Sequence, residues 1–154
     1  MNRELGEKQG PPPDITVRTF AFAVRVVRLC RTIERSAVNR VMVGQFLRSA
    51  TSIGANIEEA QSGQSRADFL SKVTIALKEA RESNYWLRLL IETDTVPRQR
   101  MVDLLIESNQ LISILTSIVK STKRSLIPYS LLPSGLFRIV IQNKIPIERR
   151  LVQA

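Results

Sequence analysis

Through most of the chain the apolar positions recur every three or four residues, the spacing at which side chains share one face of an α-helix. Four such stretches predict helices at about residues 14–35, 40–60, 66–92 and 98–122. The breaks between them are short, as in TDTVP at residues 93–97. Long helices joined by short connections predict an all-α, up-down-up-down four-helix bundle.

The segments that flank these helices lack the periodicity. The first 13 residues end in three consecutive prolines, which predicts an extended, disordered lead. The stretch from residue 126 to the end contains three prolines and a Ser-Gly pair. We therefore divide the chain into a lead at 1–13, a bundle domain at 14–125 and a C-terminal extension at 126–154 that is non-helical or disordered.

Polar side chains mark the helix ends. Asp14 has the chemistry of an N-cap for the first helix. Ser65, three residues before Asp68, resembles a capping box for the third helix, with Asp in place of Glu. Pro97 is expected in the first turn of the fourth helix, where its missing N–H costs nothing.

The first helix separates into two faces. One carries the apolar residues that we expect in the core, among them Phe22, Val26 and Leu29. The opposite arc carries arginines with few acids nearby, and we predict that it binds nucleic acid. Its members are Arg18, Arg25, Arg28, Arg31 and Arg35.

The second helix contains small residues in its interior. Ala50 and Gly54 are four residues apart, as are Ser52 and Asn56. A glycine inside a helix costs about 1 kcal/mol relative to alanine, so something should offset it. Close approach of a neighbouring helix is one explanation, with Asn56 bridging to that helix. A ligand or RNA contact is the alternative.

The third helix has a second apolar face, away from the one that carries Phe69 and Val73. A helix with two apolar faces needs two partners, and we expect this one to contact another copy of the chain. The alternative is that the C-terminal extension shields Trp86. The predicted oligomer interface consists of Ile75, Trp86, Leu89, Leu90 and Ile114.

Composition excludes several kinds of chemistry. The chain has 154 residues and no His, which rules out Ser-His-Asp triads, His-based acid–base catalysis and most transition-metal sites. The single cysteine, Cys30, lies on the apolar face of the first helix and is expected in the core. Glu79 and Glu82 are expected to be solvated or paired with Lys78 and Arg81. We expect no enzymatic activity and no cofactor.

Charge and hydropathy indicate a partner class. The 23 Lys and Arg residues outnumber the 14 Asp and Glu residues, for a net charge of +9, which favours a polyanion such as nucleic acid. There is no signal peptide at the N-terminus and no run of about 18 apolar residues. We therefore expect a cytoplasmic protein without a membrane segment.

Several runs resemble the 23S rRNA-intervening-sequence family of bacterial four-helix-bundle proteins. They are QFLRSATSIGANIEEA at residues 45–60, SRADF at 65–69, IALKEARE at 75–82 and YWL at 85–87. The run FAFAVR at residues 20–25 is similar to one branch of that family. The resemblance covers about residues 14 to 124.

The resemblance implies a four-helix bundle that assembles as a ring-like homopentamer. It also implies distant relatives among the accessory proteins of diversity-generating retroelements, which bind nucleic acid and reverse transcriptase through a basic surface. Members of this type usually stop near the position of Ser125, so the C-terminal extension departs from the family pattern.

Two functions remain open from the sequence. The first is a non-enzymatic, oligomeric module that binds RNA or DNA through the arginines of the first helix. The second is a protein-interaction adaptor, for example for a reverse transcriptase or a ribosome-associated factor, in which positive charge only steers association.

Overall fold

The computed structural model describes residues 14–124, which form four helices. In chain order these are α1 (Ile15–Cys30), α2 (Ala37–Gln61), α3 (Arg66–Glu92) and α4 (Val102–Arg124), with a short 3-10 turn, Arg98–Arg100, before α4. The predicted all-α four-helix fold is confirmed. The lead at 1–13 and the extension at 126–154 lie outside the described residues.

Side-chain caps begin three of the helices. Asp14 accepts a hydrogen bond from the Thr16 backbone N–H at 3.1 Å at the start of α1. Ser65 accepts one from the Asp68 N–H at 3.1 Å at the start of α3, which confirms the predicted cap. Each cap satisfies a backbone donor that the first turn of a helix leaves free.

Three predicted helix boundaries were wrong by several residues. We expected α1 to continue to about residue 35 and α2 to begin near residue 40, but α1 ends at Cys30 and α2 begins at Ala37. The start of α2 is explained by a further cap that the apolar spacing does not reveal, because Ser36 Oγ accepts from the Asn39 N–H at 3.0 Å. The start of α4 also moves, from about residue 98 to Val102, because the chain after Pro97 first makes the 3-10 turn.

The core lies between the inner faces of all four helices. α2 packs against both α1 and α3, and α3 packs against α4. Phe46 of α2 and Leu87 of α3 are fully buried, as are Leu111 and Leu115 of α4. Among the described helices, α4 alone is long and apolar enough to cross a membrane, and those two leucines are part of its core-facing side.

The small residues of α2 lie under α1. A Cβ placed on Gly54 would be 3.7 Å from the carbonyl carbon and oxygen of Thr19 and 3.8 Å from the backbone nitrogen of Phe20. Ala50, one turn earlier, is fully buried. The backbone of α1 therefore approaches α2 closely at Gly54, as the packing explanation predicts. Asn56 does not bridge to another helix, because its Nδ2 donates to the Ser52 carbonyl of α2 itself at 2.9 Å.

Ion pairs link α2 and α3 across their exposed edge. Arg48 of α2 reaches Glu79 at 3.4 Å and also pairs with Glu82, and Lys72 of α3 pairs with Glu59 near the other end of α2. The hydrogen bond from Arg48 lowers the pKa of the Glu82 carboxyl. We expected Glu79 and Glu82 to be solvated or paired with Lys78 and Arg81, but their ion-pair partner is Arg48 of the neighbouring helix.

A small polar cluster lies between α3 and α4. Asn84 Nδ2 donates to Ser108 Oγ at 3.2 Å and to Asn109 Oδ1 at 3.1 Å. Asn84 in turn accepts a hydrogen bond from Arg88 Nε at 3.1 Å. The neighbouring Ser83 Oγ is buried and has no hydrogen-bond partner among the described residues.

The topology places both ends of the described chain at one end of the bundle. Arg66, in the first turn of α3, donates to the carbonyl oxygen of Thr122 in the last turn of α4. The connection between α2 and α3 is therefore next to the end of α4. The α1–α2 and α3–α4 connections lie together at the opposite end.

Candidate nucleic-acid interface

The five arginines predicted to bind nucleic acid differ in their exposure and in their ion pairs. Arg18 forms the only ion pair that any of them makes with another residue in 14–124. Arg25 is half-buried, whereas the three that follow are exposed. Two of these, Arg28 and Arg31, lie at the end of α1, and Arg35 lies in the connection to α2.

The Arg18 side chain joins α1 to α4. Its Nε donates to Glu107 Oε1 of α4 at 2.9 Å, and its Nη2 donates to Gln110 Oε1. The Arg18 side chain is 18% exposed and that of Glu107 is 21% exposed, so both are largely removed from solvent. We therefore correct the assignment of Arg18 from a phosphate contact to a link between α1 and α4.

Arg28, Arg31 and Arg35 lie at one end of the bundle because α1 ends there. A cation in the last turn of a helix also interacts favourably with the partial negative charge of the terminal carbonyls, and Arg28 has that position. This contribution explains one arginine of the group but not the exposed residues beyond the helix.

The α3–α4 connection adds charge to the same end. Arg100 Nη2 donates to Thr32 Oγ1 at 2.9 Å, which brings the 3-10 turn against the end of α1. Arg40, in the first part of α2, is exposed at this end as well. None of the residues in this group has an ion pair with another residue in 14–124. We call the group the basic end: Arg28, Arg31, Arg35, Arg40 and Arg100.

Sequence reasoning missed Arg40 and Arg100 because it considered one helix at a time. An up-down-up-down topology brings the first and third connections to the same end, and that rule would have found them. The acidic residues of this end are fewer. They are Glu34, Glu92, Asp94 and Asp103, and Glu92 is 3.9 Å from Arg98.

A groove between α1 and α2 leads away from the basic end. One part has a volume of about 530 Å³ and is lined by apolar residues of α1, by small residues of α2 and by Arg28, Arg31 and Glu58. The next part, about 700 Å³, shares Val27 and Arg31 with the first and extends to Arg35 and Arg40. The arginines therefore border an apolar groove, and they do not lie on a flat polar surface.

The predicted oligomer interface is only partly at the surface. Leu90 is fully buried and Ile114 is 7% exposed, both inside the core of a single chain. We correct these two assignments, because a side chain sealed in its own core cannot contact a second copy. Ile75 is exposed, and Trp86 and Leu89 are half-buried at the edge of the core. Trp86 packs edge-to-face on the exposed Tyr85, with ring centroids 5.1 Å apart.

The cysteine has the environment of a packing residue. Cys30 is half-buried, and burial raises the pKa of its thiol from 9.0 to about 11. A raised pKa keeps the thiol protonated and lowers its nucleophilicity. Within residues 14–124, no three Cys, Asp or Glu side chains cluster in an arrangement that could hold a metal ion.

Comparison with known proteins identifies the family. A family model described as 23S rRNA-intervening sequence protein matches residues 14–117. The chain belongs to this family. The match spans α1 to α3 and most of α4, so it contains the basic end and the α1–α2 groove.

One solved structure from Bacteroides thetaiotaomicron VPI-5482 is similar to this member of the family. It is a crystal structure, at 1.70 Å resolution, of a protein of unknown function from the S23 ribosomal protein family. The two share 45% sequence identity with a TM-score of 0.65, and the alignment covers 69% of this chain and 98% of the other. A comparison with curated proteins found no match.

Proposed function

We propose that this protein is a non-enzymatic binding module that holds RNA or DNA by its phosphates at the basic end. The observation that carries the proposal is the set of exposed arginines from three parts of the chain that have no acidic partner among residues 14–124. Like charges held close together repel one another, so a bound polyanion would relieve a cost that the free protein bears.

Arginine suits this role because its planar guanidinium makes bidentate hydrogen bonds to phosphate. Contacts to phosphate carry affinity but little sequence information, so we expect binding with weak sequence preference. Affinity should fall steeply and linearly with salt on logarithmic axes, because phosphate contacts release condensed counterions.

A charge-reversal experiment tests the proposal. We expect Arg28→Glu combined with Arg31→Glu to lower nucleic-acid affinity at least tenfold at low salt and to reduce the salt slope by about 2. The matched control is Arg81→Glu combined with Arg124→Glu, which changes the net charge equally at exposed positions away from the basic end. Equal losses of nucleic-acid affinity in the two double variants would show that binding depends only on net charge. That result would overturn the assignment of the phosphate contacts to the basic end.

A protein-interaction adaptor, with a reverse transcriptase or ribosome-associated factor as partner, is the second candidate. The exposed apolar side chains favour it, notably Val17 and Phe20 on α1 and Val41 on α2. An apolar contact would respond little to salt, so the salt slope separates this function from phosphate binding.

We also propose that the chain assembles with itself, as the homopentamer that the family resemblance implies. The exposed or half-buried apolar residues of α3 support an interface there: Ile75, Tyr85, Trp86 and Leu89. Light scattering at micromolar concentration should give the mass of a closed oligomer. The mass of a single chain would contradict the assembly.

A further inference from the structure

We infer that the groove between α1 and α2 receives unpaired bases, so that the protein binds single-stranded nucleic acid in preference to duplex. The inference rests on the proposed function, because the arginines that would hold the phosphates border the groove. It adds a contact between a base and the groove to the phosphate contacts made by the arginines.

The groove is large enough to hold a nucleobase. Its first part, at about 530 Å³, is within the range of about 300–1,000 Å³ that ligand pockets occupy. Ala23, Val24 and Val27 form its α1 wall. Gly54 and the exposed Ala55 form part of its α2 wall.

An aromatic ring lies at the end of the groove away from the arginines. Phe20 lines the groove and is 67% exposed, the highest exposure of any large apolar side chain in residues 14–124. Every nucleobase has a flat face that stacks on such a ring, whatever the sequence. An exposed phenylalanine beside an apolar wall is therefore a platform for a base.

The spacing of the groups fits a strand that runs along α1. Arg28 and Arg31 follow Phe20 by eight and eleven residues, which at the helical rise is about 12 and 17 Å along the axis. A few nucleotides cross that distance, with a base on Phe20 and the following phosphates on the arginines. Their phosphates would continue toward Arg35 and Arg40, which line the second part of the groove.

Duplex nucleic acid cannot use the whole site. Its bases are paired and stacked within the helix, so only its phosphates reach the protein. Glu58, an exposed carboxylate in the wall of the first part, repels phosphate there but can accept a hydrogen bond from an N–H group of an unpaired base. This wall of the groove therefore favours contact with a base over contact with the phosphate backbone of the nucleic acid.

The test measures the affinity of the full chain for an oligothymidylate and for a duplex of the same length at low salt. We expect the single strand to bind more tightly and Phe20→Ala to weaken its binding by about 5-fold to 20-fold, the lower part of the range for stacking one base on one ring. Duplex affinity should stay within about twofold. Val17→Ala is the matched control, because Val17 is 59% exposed on the same helix but does not line the groove.

The outcomes separate this inference from the function on which it rests. If Phe20→Ala leaves single-strand affinity unchanged while Arg28→Glu with Arg31→Glu abolishes it, the groove inference is overturned and the phosphate function stands. Tighter binding of duplex would also overturn it. If neither nucleic acid binds at low salt, both proposals fail. Phe20→Trp keeps an aromatic face and should retain the single-strand preference.

Discussion

The Arg18 guanidinium of α1 and the Glu107 carboxylate of α4 form an ion pair of 2.9 Å that joins the first helix to the last. Contacts between α1 and α4 are otherwise sparse compared with those between consecutive helices. This pair therefore contributes to closing the bundle along its least extensive interface.

Arg18→Gln should lower the free energy of unfolding by about 1–2 kcal/mol, because it leaves Glu107 partly buried without its charged partner. Arg28→Gln, at an exposed position without an ion pair among residues 14–124, should change stability by less than about 0.5 kcal/mol. Urea denaturation of both variants measures the difference. Equal changes in the free energy of unfolding would show that the contact between Arg18 and Glu107 does not stabilise the fold.

Gly54 and Gly44 form a matched pair within α2. Gly54→Ala should be near neutral or stabilising, because the added Cβ meets the Thr19 backbone only at ordinary contact distance. Gly54→Leu should destabilise by about 1–3 kcal/mol, because its larger side chain must displace α1. Gly44 has no atom within 4 Å of an added Cβ, so Gly44→Leu should stabilise by about 1 kcal/mol through helix propensity. Thermal melts in which both leucine variants are stabilised would rule out close packing at Gly54.

The polar cluster between α3 and α4 predicts opposite effects at adjacent residues. Ser83→Ala removes a buried hydroxyl without a partner among the described residues, and should be neutral or stabilising. Asn84→Ala removes the shared partner of Ser108, Asn109 and Arg88, and should cost about 1–3 kcal/mol. Chemical denaturation distinguishes the two. A large loss in Ser83→Ala would mean that its hydroxyl is hydrogen-bonded in solution.

Cys30 predicts a loss of stability at alkaline pH. Burial raises the pKa of its thiol in the folded chain to about 11, above the ordinary value of 9.0. Between these values the unfolded chain releases the proton while the folded chain keeps it, so stability is full below about pH 9 and falls as pH rises toward 11. Cys30→Ala should remove this part of the pH dependence. Parallel curves of unfolding free energy against pH for wild type and variant would contradict the shift.

The apolar pattern predicted the helices well because burial repeats with the period of the helix. Of the first-helix residues expected in the core, Phe22, Val26 and Leu29 are buried, whereas Cys30 is only half-buried. The Ser65 cap was found because an acid follows three residues later, whereas Ser36 was missed because an asparagine holds that position. A cap in which only the serine side chain takes part is harder to recognise in the sequence.

The candidate site was less predictable because its charges meet through the tertiary fold. Periodicity assigned Arg18 to the outer face of α1 but could not show that Glu107, 89 residues later, would neutralise it. Leu90 and Ile114 illustrate the same limit for apolar residues, since spacing alone does not distinguish a second exposed face from a wide buried one. The groove beside Phe20 depends on the gap between α1 and α2, which the periodicity of a single helix does not predict.

The position of the two ends of the described region, residues 14 and 124, has a practical consequence. Asp14 and Arg124 both lie at the end formed by the α2–α3 connection, and α2, with 25 residues, separates that end from the arginines by about 37 Å. A sensor surface attached at that end of the bundle would lie away from the arginines, which would face the solution. Immobilised in this way, the domain leaves the arginines open to a ligand in flow.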